Sequence, residues 1–123
     1  MHPRRLVRLN ELILQTVSHL TLNLKDPGIG FVTVTGAEIS PDLSVAKIFY
    51  SVLGTPEEKE ATALALERAK SYLRREVGQL ENLRKVPQLI FLYDPSVEHA
   101  DRVSRLLNSI QNENNDTQPP AAD

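Results

Sequence analysis

The apolar positions of the first twenty-five residues recur every three or four places. Leu6, Leu9, Ile13, Val17, Leu20 and Leu24 fall on one face of a helix. "KDPG" ends it, because Pro27 restricts Asp26 and Gly28 permits a turn. The period then changes to two. "FVTVTGAEI" alternates through Val32 and Val34, slips by one residue, and resumes at Ala37 and Ile39. Gly36 lies at the slip, which predicts a β-bulge. "SPDL" reads as a type I turn with Pro41 second and Asp42 third. "SVAKIFYSVL" follows as the partner strand of an antiparallel hairpin, with Ala46, Ile48, Tyr50 and Val52 on one face.

"GTPEE" carries a helix start: Thr55 as N-cap, Pro56 in the first helical position, Glu58 completing a capping box. Leu66, Ala69, Leu73, Val77 and Leu80 extend this pattern to about Leu80. That is long enough to suggest a kink or two abutting helices. "VPQLIFLYD" is a third strand, whose unbroken apolar run predicts deeper burial than the first two. "SVEHADRVSRLLNSI" is a weaker helix with Ala100, Val103, Leu107 and Ile110 on its face. "QNENNDTQPPAAD" offers no core-forming side chain and reads as a disordered tail. The expectation is an α+β domain over 1–110 and a tail over 111–123.

Composition narrows the function. At 41% hydrophobic and 24% charged residues the chain is ordinary globular material. Cysteine is absent, which removes disulfides and thiol chemistry and suits a reducing, cytoplasmic setting. No run reaches membrane-spanning length, and Asn10, Glu11 and Gln15 interrupt any signal-like segment near the N-terminus. Net charge is −2, unlike a simple basic nucleic-acid binder. The distribution is uneven, however. Arg68, Lys70, Arg74, Arg75, Arg84 and Lys85 dominate 67–85, whereas acids dominate beyond Tyr93.

Catalytic and metal sites find little support. His2, His19 and His99 have no ligand spacing, and Asp94 and Asp101 lack a nucleophile or second base. "GIG" follows a helix rather than a strand, and "NDT" lies in the tail. No enzyme activity, metal or cofactor is expected. On a helical wheel Arg68, Ser71, Arg75 and Gly78 oppose the apolar stripe, with Lys70 and Arg74 flanking them. That face suits either a solvated surface or close approach of an anion between arginines. Arg4, Arg5 and Arg8 oppose the first helix's dipole at roughly 0.3–1 kcal/mol each, a hint of an anionic partner or simply a solvated start.

Three blocks together resemble the ribosome-binding factor A family. They are "LKDPGIGFVTVTGAEISPDLSVAKIFYSVLG", "ALERAKSYLRREVG" and "RKVPQLIFLYDPSVEHADRVSRLL". The resemblance implies a type II KH-like fold, helix-strand-strand-helix-kink-helix-strand. It also implies an Ala-x-Gly kink in place of the Gly-x-x-Gly loop of ordinary KH domains. Here the kink reads Ala69-Lys70-Ser71, with serine for glycine. The implied role is non-catalytic: a monomer binding the immature 30S subunit through 16S ribosomal RNA, near any neighbouring ribosomal proteins. It would assist late maturation of the 5′ region and cold adaptation. The RNA-contact candidates are Arg4, Arg5, Arg8, Lys25, Arg68, Lys70, Arg74, Arg75, Arg84 and Lys85. The competing reading is an α+β protein-interaction module without RNA.

Overall fold

The computed structural model describes residues 3–80, 83–96 and 102–110. The order is α1 (Pro3–Leu22), β1 (Phe31–Ile39), β2 (Val45–Leu53), α2 (Pro56–Val77) and β3 (Gln88–Tyr93), followed by a helical stretch, α3, over 102–110. The sheet runs β1-β2-β3, so β2 is central. β1 pairs with it antiparallel through a hairpin and β3 pairs with it parallel. A parallel neighbour needs a crossover, and α2 supplies it.

Alternation along β2 decides which face the helices cover. Ala46, Ile48, Tyr50 and Val52 are all buried, and they meet Leu9, Ile13 and Val17 of α1 with Leu66, Leu73 and Val77 of α2. The main cluster joins α1, all three strands and the second half of α2; Leu66 packs instead with Tyr50 and Val52. Truncating fully buried Leu73 to alanine would remove contacts worth about 2–5 kcal/mol.

The phase slip in β1 is a bulge: register passes from Val34↔Tyr50 to Gly36↔Phe49, leaving Thr35 as the extra residue. Its hydroxyl donates to Asp94 Oδ2 across the sheet at 2.7 Å. In the hairpin turn the Leu43 amide donates to Ser40 O at 2.8 Å, and Leu43 takes a left-handed φ of 64°. A type I turn closed by such a residue is a common hairpin connection. The α2 cap also matches its sequence signature. Thr55 Oγ1 accepts from the Glu58 amide at 3.2 Å, and Glu58 Oε1 accepts from the Thr55 amide at 3.1 Å.

Three expectations need correction. β3 is an edge strand rather than the most buried: Leu89 is buried, but Ile90 and Leu92 face away from the helices and stay exposed. The apolar run serves two faces, and helices α1 and α2 cover only one. Helix α2 ends at Val77 and is unbroken through Ala69, Lys70 and Ser71, so it does not divide into two abutting helices. Serine, unlike glycine, costs a helix interior little. Every residue of α3 is exposed, Val103, Leu107 and Ile110 included. Ala100 and the predicted tail over 111–123 lie outside the described residues. No helix among those described is long and apolar enough to cross a membrane.

Candidate nucleic-acid interface

The basic residues of α2 divide by what holds them. Arg68 grips Asp26 with two nitrogens, Nε to Oδ2 at 2.8 Å and Nη2 to Oδ1 at 2.9 Å. Asp26 also accepts from the Gly28 amide at 2.9 Å, and the Arg68 bonds chiefly lower its pKa to about 2. Six residues earlier on α2, buried Thr62 accepts from the Gly30 amide at 3.0 Å. The turn after α1 is thus fastened to α2 at two points. Arg74 donates to two carbonyls, Pro87 O at 3.0 Å and Val86 O at 3.1 Å, tying the approach to β3 onto α2.

Gly78 belongs to the same junction. A Cβ there would come within 2.7 Å of Val86 Cγ2, so the glycine admits the loop. Arg68, Arg74 and Gly78, expected on a face reserved for an anion, therefore have structural duties. The wheel shows which way a side chain leaves its helix; it cannot show that a distant loop comes to meet it. Ser71 and Arg75 do stay exposed, and Arg75 lies over the Tyr72 ring at 6.0 Å. Lys70 pairs with Glu67 at 2.7 Å and lies over Phe91 at 5.8 Å.

A second grouping is assembled only by the fold. The start of α1, the β1–β2 turn and the loop before β3 enclose an open groove of about 440 Å³, lined by Arg5, Asp42, Leu43, Leu83, Arg84 and Lys85. Arg84 and Lys85 are exposed, and among the described residues neither makes a hydrogen bond or ion pair. Arg4 and Arg8 are exposed on the same first turns of α1. That helix has no acid in its first turn, so its dipole adds positive potential at the same end. From the last turn of α2 Arg74 reaches the neighbouring loop, and Arg75 follows it in the helix.

Sequence and fold both match known proteins. The ribosome-binding factor A family model matches residues 5–107. The chain belongs to that family. Ribosome-binding factor A of Brevibacillus brevis is 40% identical over 114 residues, which cover 92% of this chain and 94% of that one. The solution structure of a Thermotoga maritima protein, provisionally assigned as the same factor, is 33% identical with a TM-score of 0.65, covering 75% of this chain and 90% of that one. A homology-built Thermus thermophilus factor, as fitted into a cryo-electron-microscopy map of a 30S complex, has a TM-score of 0.60 at 24% identity, covering 72% and 93%. The architecture is the KH-like α+β fold of these family structures.

Within this family member the ten basic candidates do not form one patch. Arg4, Arg5, Arg8, Arg84 and Lys85 gather at the groove end, with Arg74 bound to the adjoining loop and Arg75 next to it in the last turn of α2. Lys25 lies beyond the other end of α1, roughly 30 Å away for a helix of this length. Arg68 is tied down next to it at Asp26. Asp42, in the "SPDLS" turn legible from the sequence, shares the groove although its residue type carries no basic signal.

Proposed function

We propose that this family member is a non-catalytic ribosome assembly factor. It binds the immature 30S subunit through 16S ribosomal RNA and assists late maturation, including processing of the 16S 5′ region. It acts in the cytoplasm as a monomer without a cofactor, with greatest need in the cold. The observation that carries the proposal is family membership over 5–107 joined to a basic end made by three separate segments. The Thermus thermophilus relative fitted in a 30S complex gives the class of partner.

Arg5, Arg84 and Lys85 contact phosphate oxygens in this reading, with Arg4, Arg8 and Arg75 extending the track. Lys25, Arg68, Lys70 and Arg74 contribute charge from positions already engaged or remote. Net acidity is no obstacle, because α2 itself is segregated: Glu57, Glu58 and Glu60 occupy its first turns, and Arg74 and Arg75 its last. Backbone phosphates respond to the local field within about 10 Å at ordinary salt, not to the whole-chain sum.

Co-sedimentation of the purified protein with separated subunits tests this. Binding should favour the small subunit and, with about four phosphates neutralised, fall on the order of 50-fold between 50 and 200 mM salt. Equal binding to both subunits would contradict it. One observation favours the protein-module reading: Phe31 and Leu53, directly paired on the open sheet face, are 78% and 74% exposed. Binding through that face would be insensitive to salt.

A further inference from the structure

A carboxylate in a basic groove is out of place if the groove only attracts phosphate. Asp42 stands among Arg5, Arg84 and Lys85, and the turn holds it firmly. Its Oδ1 accepts three hydrogen bonds: Ser44 Oγ at 2.7 Å, Ser40 Oγ at 2.8 Å and the Ser44 amide at 3.1 Å. Ser40 Oγ in turn accepts from the Val45 amide at 3.0 Å, which locks the hydroxyls against the start of β2. Oδ2 receives no hydrogen bond from any described residue. These bonds, with a smaller contribution from Lys85, lower the pKa to about 2, so the group is ionised throughout the working range. Asp42 therefore presents one fixed, charged acceptor oxygen, unpaired among the described residues, in a groove lined by three cations.

An ionised carboxylate can only accept, and it repels phosphate. Beyond the turn that Oδ1 holds, its second oxygen suits a ligand carrying a hydrogen-bond donor close to a phosphate. The RNA backbone has one such donor per nucleotide, the ribose 2′-hydroxyl, and DNA has none. Donors on bases vary with sequence and lie farther from the phosphates. We infer that Asp42 is a specificity residue: its Oδ2 accepts a hydrogen bond from a ribose 2′-hydroxyl while Arg5, Arg84 and Lys85 hold the adjacent phosphate. The groove thus selects ribose over deoxyribose without reading bases. This rests on the RNA-binding reading above.

The test uses the full chain and a single-stranded uridine 12-mer, with the same oligomer carrying 2′-fluorine in place of hydroxyl. Fluorine keeps the RNA sugar pucker but cannot donate. The parent should prefer the hydroxyl oligomer by roughly 10-fold, the lower range for a hydrogen bond to a charged group. Asp42→Asn keeps an oxygen for the turn but replaces the free acceptor by a donor. It should bring the ratio to within about twofold of unity while binding the fluoro oligomer at least as well, because repulsion is gone. Lys85→Ala should weaken both oligomers equally and preserve the ratio, a result that does not depend on how Asp42→Asn folds. An equal affinity of the parent for both oligomers, or an undiminished preference in folded Asp42→Asn, overturns the assignment alone. Absence of any salt-sensitive binding to either oligomer overturns the RNA reading and this inference with it.

Discussion

Neighbouring arginines on α2 carry different loads, and single substitutions separate them. Arg74 satisfies two backbone carbonyls with charge-assisted bonds, so Arg74→Ala should cost about 1.5–3 kcal/mol in a denaturant titration. Arg75, exposed and touching only Tyr72 among the contacts described, should cost no more than about 0.5 kcal/mol as alanine. The reverse ranking is expected for subunit binding. Asp26 supplies a pH signature. Its pKa is about 2 in the fold against an ordinary 3.8, held down chiefly by Arg68. The stabilisation is complete above the ordinary value and disappears as pH falls through the lower one. The melting midpoint of Asp26→Asn should therefore lie below that of the parent at neutral pH. The gap should close between about pH 4 and pH 2, as linkage requires. A gap independent of pH would mean that the Arg68 contact does not stabilise the fold.

The elements were readable where their causes are local. A capping box spans three residues, so Thr55 and Glu58 announce the start of α2 before any fold exists; Thr55→Ala should cost about 1 kcal/mol in thermal or denaturant unfolding. The bulge was equally legible, since one unpaired residue shifts every later side chain of β1 to the opposite phase. β3 was misjudged because an apolar run does not say how many faces are covered. Leu89 and Phe91 turn inward, Ile90 and Leu92 outward, and only the arrangement of α1 and α2 decides which side is dry. The fastening of the 26–30 turn was invisible for another reason. Thr62 and Arg68 meet partners more than thirty residues away, and nothing in either local sequence names them. Thr62→Val keeps the volume and leaves the Gly30 amide without its acceptor; it should cost about 1–3 kcal/mol in the same titration.

At the scale of the molecule, the charge pattern was visible and its grouping was not. The sequence places Arg5 and Arg84 79 positions apart, and only the antiparallel hairpin and the α2 crossover return both to one end. The helical wheel drew attention to the middle of α2, whereas exposed cations gather where α1 begins and β3 is about to start. In the proposed reading this groove end meets the RNA of the small subunit. Its most direct test is a salt titration of 30S binding by the parent and by a variant carrying Arg84→Ala and Lys85→Ala together. Loss of two phosphate contacts should reduce the slope of log affinity against log salt by about 1.4, and both proteins should retain the same melting midpoint. An unchanged slope in the folded double variant would place the RNA contact elsewhere and contradict the account.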